Sequence, residues 1–317
     1  MQAVILAAGK GSRLNPITLR RTKAMVPILG KPIVERVMET LAQNGIHQFV
    51  MVISREDGEV GRYFREQTTL DVDIQFVIQS ERLGMANALS LAAPHIYGDF
   101  VLSACDNLTP PEHVADLLAT YRSKNANAAL SLMKIDPSIA GKTAVVDLQD
   151  GYIRQIIEKP RPEQVISTIA SLPLYVFSST LLDYLPEIQP SPRGEYELQD
   201  AIQMLIDRNG GVTGALTPSR LQLTNAQDLL ALNRHYLTTG SGDHPQLAPQ
   251  HVGQHTHLIT PLRIEAGTVI GPGCVIGPRV YIERNVKIGA DVLIKDAVIL
   301  RNTVIEDGQQ VVGEVVS

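Results

Sequence analysis

The amino-acid sequence predicts an α/β fold, with a doubly wound and mostly parallel sheet, followed by a domain of short repeats. The first observation is that residues 1–237 alternate short apolar runs with amphipathic helical patterns. The second is that the apolar period changes to six from Leu258 onward. Strands that alternate with helices favour a parallel sheet, because each helix returns the chain to the starting edge. We therefore predict two domains, residues 1–237 and 258–317, joined by a linker of residues 238–257.

The strand candidates of the first domain are Val- and Ile-rich runs at residues 3–6, 49–53, 74–78 and 100–103. Helical patterns lie between these runs at residues 33–44, 56–67 and 84–93. The arrangement is Rossmann-like, and in such sheets the ligand lies beyond the carboxyl ends of the strands. The loops that follow Leu6, Ile78 and Ser103 all begin at strand ends. We therefore predict that these three loops line one crevice.

The repeat of the second domain is a hexapeptide. Its apolar position falls at Leu258, Ile264, Ile270, Ile276, Ile282, Ile288, Ile294 and Leu300. Such repeats are typical of the left-handed parallel β-helix, in which six residues form one face and three faces form a coil. The register stops at Glu306, which predicts about two and a half to three coils. An ordinary antiparallel domain would instead need a period of two.

The overall composition fits a globular protein of a reducing compartment. The chain has 317 residues and a formal net charge of −5, and an acidic chain is a poor candidate for binding nucleic acid. No apolar run approaches the roughly 18 residues of a membrane span, and the start of the chain lacks a signal-peptide pattern. Cys105 and Cys274 lie in segments of different character, which favours reduced thiols. We expect a cytoplasmic protein that binds neither nucleic acid nor membrane.

The linker is rich in Gly, Pro, Gln and His and lacks apolar periodicity. Its His251, His255 and His257 suggest a metal site as a minor alternative. Clustered His is common in polar segments, however, and no Cys lies nearby to complete a ligand set. We therefore expect these residues to connect the two domains without a metal.

Residues 1–34 contain six basic side chains and no carboxylate, although the whole chain is acidic. The charge surrounds a glycine turn, Gly9-Lys10-Gly11, which follows the apolar run that ends at Leu6. A Gly-rich loop after a strand directs several backbone N–H groups toward one point and forms a nest for anionic oxygens. Arg and Lys side chains neutralise such oxygens. We therefore predict a polyphosphate site near the start of the chain.

This turn is part of a longer motif. Residues 6–14, LAAGKGSRL, are followed by Pro16 and by residues 22–27, TKAMVP. The pattern resembles the N-terminal motif of the sugar-1-phosphate nucleotidylyltransferases, or NDP-sugar pyrophosphorylases, and the resemblance covers about residues 1–237. It implies an enzyme in which a sugar-1-phosphate attacks the α-phosphate of a nucleoside triphosphate. The products are an NDP-sugar and pyrophosphate, and the implied cofactor is Mg²⁺.

The resemblance assigns nucleotide contacts to Leu6, Ala8, Gly9, Gly11, Gln79 and Gly84. It makes Arg13 and Lys23 the catalytic pair, with Arg13 on the departing β- and γ-phosphates and Lys23 on the α-phosphate. The sugar phosphate is already an anionic nucleophile at neutral pH, since the second pKa of a phosphomonoester is about 6. The enzyme therefore needs positioning and charge neutralisation rather than a general base. The alternative is that both side chains are ordinary solvated cations.

In the family, a Gln at the position of Gln79 reads the nucleobase. Its amide carries a donor and an acceptor, which suits N3–H and O4 of uracil or thymine. A glycine at position 84 would let the base lie close to the backbone. The resemblance therefore favours UTP or dTTP as the nucleotide, and an ordinary exposed Gln before a helix is the alternative.

Asp106 follows an apolar strand and resembles the magnesium aspartate of the family. Mg²⁺ needs only one or two carboxylates besides phosphate oxygens and water. The alternative is that Asp106 caps the segment 110–124. The second metal aspartate of the family is not evident, so Gln222 or Asn225 would be a weaker amide ligand, and Asp228 would instead be a helix-entry residue.

The resemblance assigns the sugar-1-phosphate to Ala144, Glu158, Lys159, Tyr175, Arg193 and Glu197. Glu158 would accept hydrogen bonds from sugar hydroxyls, and Lys159 and Arg193 would pair with the phosphate. The family often has glycine where Cys105, Ala144 and Pro173 stand here. A side chain or a missing N–H at these positions would remove close backbone contacts.

These departures leave open a second function, a catalytically weak or inactive relative that binds sugar nucleotides as a regulatory subunit. An acyltransferase is a third alternative, but the repeat is short and contains no His after Leu258. A short β-helix has an open end and flat apolar faces, so we expect a homo-oligomer that forms through this domain. The expected small-molecule partners are a pyrimidine nucleoside triphosphate and a sugar-1-phosphate.

Overall fold

The computed structural model describes residues 1–239 and 247–317, and this part of the chain divides into two compact units. The first unit comprises Met1–Gly9 and Val34–Leu221, and the second comprises Lys10–Ile33 and Gln222–Ser317. The N-terminal loop thus groups with the C-terminal part of the chain, unlike in the predicted division at residues 237 and 258. Residues 240–246 of the predicted linker lie outside the described residues.

The first unit contains a nine-stranded sheet. Its strands are β1 Gln2–Leu6, β2 Gln48–Ser54, β3 Asp73–Gln79, β4 Phe100–Ala104, β5 Ala128–Lys134, β6 Ala144–Gln149, β7 Tyr152–Glu158, β8 Ile169–Phe177 and β9 Val212–Leu216. Their order is β3-β2-β1-β4-β8-β5-β9-β7-β6. The strands from β3 to β4 are parallel, as predicted. Beyond them the sheet is mixed, since only β5 and β9 pair in parallel there.

The helices that accompany this sheet are α1 Ile33–Ala42, α2 Gly58–Glu66, α3 Met85–Ala92, α4 Pro111–Ser123 and α5 Leu198–Arg208. The first three occupy the predicted helical segments to within two residues at each end. Apolar residues of α3 such as Leu89 share one buried cluster with Val4 of β1 and Leu102 of β4. This packing holds the strands from which the predicted loops emerge. Within the described residues, no helix combines the length and apolar character that crossing a bilayer requires.

The pairing of strand β8 with β5 is irregular around Pro173. Its register with β5 shifts between Ser171 and Tyr175. Proline has no N–H for the ladder, so a proline inside a strand is tolerated where the pairing is irregular. Pro173 therefore lies in the irregular part of this strand.

The second unit begins its C-terminal part with helix α6, Ala226–Thr239, and continues into short parallel strands. The strands are β10 His251–Val252, β11 His257–Leu258, β12 Leu262–Ile264, β13 Val269–Ile270, β14 Val275–Ile276, β15 Val280–Ile282, β16 Lys287–Ile288, β17 Leu293–Lys295, β18 Val298–Ile299, β19 Val304–Ile305, β20 Gln310–Val312 and β21 Val315–Val316. They form three sheets, β10-β13-β16-β19, β11-β14-β17-β20 and β12-β15-β18-β21. Aliphatic side chains fill the space between the three faces. This arrangement is consistent with the predicted left-handed parallel β-helix.

Three details of the repeat differ from the sequence-based expectation. Each face has four strands, which exceeds the predicted three coils at most. The first strand starts at His251, inside the predicted linker. Ile276 pairs with Ile294, an offset of 18, but Ile282 pairs with Ile299, an offset of 17. The predicted position Leu300 is therefore one residue out of register.

Candidate active site

Loops at the carboxyl ends of β1, β3 and β4 meet in the first unit. Cys105, just after β4, donates its backbone N–H to the Leu6 carbonyl at 3.1 Å. Arg82, in the loop after β3, donates from Nε to the Ala8 carbonyl at 2.8 Å. These bonds confirm the predicted convergence of the three loops. They also show that the backbone of Leu6 and Ala8 is held from both neighbouring loops.

The two glycines of the N-terminal turn differ in their surroundings. A Cβ at Gly9 would meet nothing within 4 Å, so packing within the protein does not demand glycine there. Gly11 has a φ of +64°, and a Cβ there would lie 3.0 Å from Cβ of Lys23 and 3.2 Å from Cγ2 of Thr18. Thr18 also donates its hydroxyl to the Gly11 carbonyl at 2.9 Å. Gly11 thus lets the stem of Lys23 pack against the turn.

Each member of the predicted catalytic pair sits on a short 3-10 turn. Arg13 lies in Ser12–Leu14, and Lys23 begins Lys23–Met25. The apolar residues of both turns are buried, which leaves Arg13 exposed and Lys23 half-buried. Both side chains belong to the second unit. Their contacts with phosphates remain predictions.

Arg21 of the same loop forms a bidentate ion pair with Glu283 of the β-helix. The two guanidinium nitrogens donate to the carboxylate oxygens at 2.9 and 2.8 Å. The side chains are only 4% and 7% exposed, so the pair is desolvated. The backbone N–H of Leu29 adds a second bond, to Oδ1 of Asn233 in α6 at 2.9 Å. These contacts explain why the N-terminal loop groups with the C-terminal part of the chain.

Gln79 ends β3 and is buried. Its Nε2 donates to the Gly84 carbonyl at 3.3 Å and to Oδ1 of Asn87 at 2.8 Å. A carbonyl can only accept, so the Gly84 contact fixes which end of the amide is nitrogen. The amide oxygen is then the end that is oriented to accept a hydrogen bond.

Gly84 has a φ of +102°, and a Cβ there would lie 2.6 Å from the Tyr196 carbonyl oxygen. Tyr196 also donates its N–H to the Leu83 carbonyl at 2.7 Å and accepts from the Ala86 N–H at 3.1 Å. The glycine is therefore required by this close approach of two backbones. The contact joins the predicted nucleotide loop to the predicted sugar segment around Arg193.

Asp106 lies just after β4 and is half-buried. Helix α4 begins at Pro111 with Pro110 as its N-cap, so Asp106 does not occupy the cap position of that helix. The neighbouring Asn107 has a buried Oδ1 without a hydrogen-bond partner among the described residues. One carboxylate beside an unsatisfied amide oxygen fits a hard cation that takes its other ligands from phosphates and water. No group of three or more His, Cys, Asp or Glu in the described ranges could hold a metal by itself.

The two candidates for a second metal ligand belong to the second unit. Asn225 accepts the Asp228 N–H on Oδ1 at 3.0 Å, and Asp228 accepts the Thr224 N–H at 2.7 Å. This reciprocal cap places Asp228 in the first turn of α6 and confirms that it is a helix-entry residue. The Asn225 amide oxygen, which was a candidate metal ligand, already accepts a hydrogen bond in this cap. Gln222 lies on a two-residue strand, and its role as a ligand remains a prediction.

Four of the six predicted sugar-phosphate residues form one ion network in the first unit. Arg193 donates to Glu197 at 2.7 Å and lies 3.9 Å from Glu158, and Lys159 lies 3.4 Å from Glu158. Ser191 donates its hydroxyl to Glu197 at 2.8 Å. Glu197 is the N-cap of α5, but its carboxylate makes no capping bond there. The carboxylate is therefore committed to the network.

The geometry at Glu158 and Lys159 is unusual. Burial raises the pKa of Glu158, the neighbouring Glu197 adds to the rise, and Lys159 and Arg193 oppose it. Lys159 has a φ of +45°. A non-glycine residue in this region costs about 1–3 kcal/mol, and such strain concentrates at functional sites. This strained conformation lies at the end of β7, where Lys159 follows Glu158.

Three of the remaining predicted residues are packed into the interior. Ala144 is 3% exposed and pairs with Glu158 across β6 and β7. Tyr175 is 1% exposed and stacks on Phe177 at 5.4 Å, and burial raises the pKa of its hydroxyl. Cys105 is 4% exposed and, like Cys274, is a free thiol, as predicted. Because Ala144 and Cys105 are buried, their side chains present little surface to a ligand.

Three residues of this site, Arg82, Ser191 and Tyr196, were not identified from the sequence. Arg82 contacts the first loop through Ala8, and Ser191 and Tyr196 support the sugar segment, as described above. Arg82 could have been noticed in the sequence, because it is a basic residue two positions before Gly84 in the predicted nucleotide loop. The contacts of Ser191 and Tyr196 are tertiary and leave no local pattern.

Comparison with known proteins identifies relatives of both parts of the chain. A family model, nucleotidyl transferase, matches residues 2–220, and the GMPPB C-terminal domain matches residues 258–317. The UTP--glucose-1-phosphate uridylyltransferase AglF of Haloferax volcanii is 34% identical over 68% of this chain and 87% of its own length. A glucose-1-phosphate thymidylyltransferase of Streptomyces antibioticus is 33% identical over 75% of this chain and 66% of its own length. The chain spans about half of a bifunctional protein GlmU of Methanococcus maripaludis, with 32% identity over 75% of this chain and 54% of that protein.

Solved structures share the fold of about three quarters of the chain. A UDP-glucose pyrophosphorylase complexed with UDP-glucose gives a TM-score of 0.67 at 20% identity, over 75% of this chain and 100% of that chain. A putative glucose-1-phosphate thymidylyltransferase from Bacillus anthracis gives 0.65 at 24% identity, over 74% and 94%. The family model itself spans more than half of the chain. The chain belongs to the nucleotidyl transferase family.

Proposed function

We propose that the protein transfers a nucleotidyl group from UTP or dTTP to a sugar-1-phosphate. The network around Glu158 carries this proposal. Lys159 and Arg193 are 43% and 40% exposed, whereas the carboxylates of Glu158 and Glu197 beneath them are 16% and 11% exposed. A sugar monophosphate offers a dianion to accessible cations and hydroxyl donors to carboxylates. Relatives named as uridylyl- and thymidylyltransferases of glucose-1-phosphate support the same substrate class.

In the proposed reaction a phosphate oxygen of the sugar-1-phosphate forms a bond to the α-phosphorus. The bond from that phosphorus to the β-bridging oxygen breaks, and pyrophosphate leaves with the electron pair. Lys159 and Arg193 hold the nucleophile, Arg13 neutralises the departing oxygens, and Lys23 neutralises the α-phosphoryl oxygens. Asp106 would hold Mg²⁺, which supplies further neutralisation of the phosphate charge.

The nucleobase preference follows from the Gln79 amide. Its nitrogen already donates within the protein, so its oxygen is the group offered to the base. Uracil and thymine carry an N3–H that can donate to this oxygen. Cytosine has an unprotonated N3, and adenine has an unprotonated N1. Guanine also carries a ring N–H, at N1, so the preference for uracil or thymine over guanine comes from the family resemblance rather than from this oxygen.

We also propose that the protein is a homo-oligomer that associates through the β-helix. Apolar side chains on this part of the chain are exposed, including Ile259 at 43%, Val304 at 55% and Val312 at 53%. Association of copies would remove this apolar surface from water. Light scattering of the full chain and of variants with Val304→Lys or Val312→Lys tests this. A monomeric mass for the full chain would contradict it.

The experiment for the function is a substrate screen. Each nucleoside triphosphate is combined with Mg²⁺ and one of several sugar-1-phosphates, and pyrophosphate release is followed. We expect release with UTP or dTTP and little with ATP, GTP or CTP. Calorimetric binding of sugar nucleotides without turnover of any pair would instead favour the regulatory alternative.

A further inference from the structure

A second side-chain amide, that of Asn87, lies beside the Gln79 amide at the start of α3. Gly84 is the N-cap of this helix and Met85 begins it, so Asn87 is its third residue. Oδ1 of Asn87 accepts from Nε2 of Gln79 at 2.8 Å. All of these residues belong to the first unit. The first turn of α3 therefore places a second amide next to the one that is predicted to read the base.

The contacts of Gln79 use both of its donors. Nε2 donates one hydrogen to the Gly84 carbonyl at 3.3 Å and one to Asn87 at 2.8 Å. A primary amide has two donor hydrogens and one acceptor oxygen. Gln79 by itself therefore offers a base an acceptor and no donor. The edge of uracil presents both an N–H and a carbonyl, so Gln79 can pair with only half of that edge.

Asn87 carries the donor that Gln79 lacks. Because the Gly84 carbonyl fixes the Gln79 nitrogen, the atom of Asn87 that meets this nitrogen must be its oxygen. Within the described part of the chain, Nδ2 of Asn87 then has no hydrogen-bond partner, and Asn87 is half-buried. Neither this nitrogen nor Oε1 of Gln79 is among the enclosed polar atoms that lack a partner. Both atoms are therefore accessible, one as a donor and the other as an acceptor.

This pair of groups matches N3–H and O4 of uracil or thymine. Cytosine inverts both groups, because its N3 is unprotonated and its N4 carries hydrogens. Each contact would then set two acceptors or two donors against each other. A site that hydrogen-bonds its substrate strongly rejects an analogue that leaves its polar groups unpaired. Guanine has the same two groups at N1 and O6, so the pattern discriminates against cytosine and adenine.

We propose that Asn87 is a second base-reading residue, whose Nδ2 donates to O4 of uracil or thymine. Its Oδ1 at the same time holds Gln79, so that the Gln79 oxygen accepts from N3–H. This inference rests on the proposed function, because it names the edge of the nucleotide that the protein recognises. Asn87 thus has two separable roles. It contacts the base through its nitrogen and positions Gln79 through its oxygen.

Calorimetry on the full chain measures the affinity for UTP and CTP without a sugar-1-phosphate, so that no transfer occurs. The two nucleotides share ribose and triphosphate and differ only at the edge of the base. Asn87→Asp keeps an acceptor for Gln79 and exchanges the donor for a carboxylate oxygen, which suits the N4 hydrogens of cytosine. We expect the ratio of UTP affinity to CTP affinity to fall roughly tenfold or more. An acidic residue in the first turn of a helix is favourable, so the variant should fold, and thermal unfolding checks this.

Asn87→Leu tests the positioning role, because it removes both the donor and the acceptor. UTP affinity should fall and the ratio should approach one, since only the 3.3 Å bond to the Gly84 carbonyl then orients Gln79. Ser90→Ala is the matched control. Ser90 is exposed on the same helix and donates its hydroxyl to the Ala86 carbonyl. This variant should keep the ratio of the wild type.

The outcomes separate this inference from the proposed function. A preference for UTP that is unchanged in Asn87→Asp would overturn the contact with O4, and one that is unchanged in Asn87→Leu would overturn the positioning of Gln79. A wild type that binds CTP as tightly as UTP would overturn the inference as a whole. A wild type that prefers UTP but releases no pyrophosphate with any sugar-1-phosphate would instead refute the proposed function, and the affinity ratios would still decide the role of Asn87.

Discussion

Gln79 donates its side-chain N–H to the carbonyl of Gly84, and this bond orients the amide that is proposed to read the base. Asn87 in α3 accepts the second N–H. The amide nitrogen of Gln79 thus donates to two acceptors. The Gly84 carbonyl can only accept, and the Asn87 amide can turn its oxygen toward Gln79. This orientation leaves the amide oxygen as the group that Gln79 offers to a base.

Replacement Gln79→Glu removes both donated bonds and places a carboxylate oxygen opposite the Gly84 carbonyl. Buried polar groups left unsatisfied cost about 1–3 kcal/mol, so we expect kcat/KM for UTP and dTTP to fall roughly 10–100-fold. The control is Gln75→Glu, an exposed position on the same strand, which should change kcat/KM little. Equal losses in the two variants would contradict a base-reading role for Gln79.

Replacement Gly84→Ala tests the close approach to Tyr196. The new Cβ would lie 2.6 Å from the Tyr196 carbonyl oxygen, and the φ of +102° disfavours any side chain. Gly98 is a matched control, since its φ is +75° but its Cβ would meet nothing within 4 Å. We expect urea denaturation to show that Gly84→Ala loses about 1–3 kcal/mol more than Gly98→Ala, the range for overpacking a filled site. A similar loss in both would mean that backbone strain alone, rather than the contact, sets the cost.

Much of this architecture could be predicted from the sequence. The parallel strands β1 to β4 and helices α1 to α3 were visible because apolar runs alternate with helical periodicity. The convergence of the loops predicted after Leu6, Ile78 and Ser103 followed from the topology alone. The residues of the ion network around Glu158 could be named only through the resemblance to a family.

Other features could not be predicted, for physical reasons. The β-helix shifts register at Asp296, which adopts a φ of +50° and pairs with Arg279 and Arg234. The shift is hidden in the sequence because Ile299 and Leu300 are both apolar and both fit the pattern. The first strands contain His251 and His257, so their apolar signal is too weak to detect.

The strain at Lys159 and the pairing of Arg21 with Glu283 are also invisible in the sequence. A positive φ in a lysine has no local propensity that could reveal it. Arg21 and Glu283 are separated by 262 residues, and only the folded chain brings them together. Both features depend on tertiary structure that local patterns do not encode.

Stability should depend on pH through Glu158. Burial raises its pKa above the ordinary value of 4.5, so the folded state binds this proton more tightly than the unfolded state. The free energy of unfolding therefore falls as pH rises from 4.5 through the raised folded value, and the loss is complete above it. We expect Glu158→Gln to be more stable than the wild type at pH 8, with the difference vanishing as pH falls toward 4.5.

Urea titrations over a series of pH values measure this difference. Glu163→Gln serves as the control, because the Glu163 side chain is 64% exposed and its substitution should give a nearly flat profile. A Glu158→Gln variant that is less stable than the wild type at pH 8 would show that the ion pairs with Lys159 and Arg193 outweigh the cost of burial.

The buried pair of Arg21 and Glu283 should matter far more than a surface pair of the same geometry. Arg21→Ala leaves a carboxylate that is 7% exposed without its partner, a change that typically costs about 3–5 kcal/mol. Arg208 and Glu187 form a comparable pair at 2.6 Å, but their side chains are 49% and 46% exposed. We expect Arg208→Ala to cost at most about 1 kcal/mol.

Chemical denaturation of the two alanine variants gives the comparison. The double variant Arg21→Met with Glu283→Leu should recover most of the loss, because it removes the unpaired charge along with its partner. Losses of similar size in Arg21→Ala and Arg208→Ala would show that Glu283 gains solvent when Arg21 is removed.

The most direct measurement follows the α-phosphate itself. The protein is incubated with Mg²⁺, a sugar-1-phosphate and UTP or dTTP labelled with ³²P at the α position, and the products are separated. Direct displacement by the sugar phosphate predicts that the α label appears in the NDP-sugar, while a γ label appears in pyrophosphate. Recovery of the α label only in a nucleoside monophosphate, or no transfer with any sugar-1-phosphate, would contradict the account.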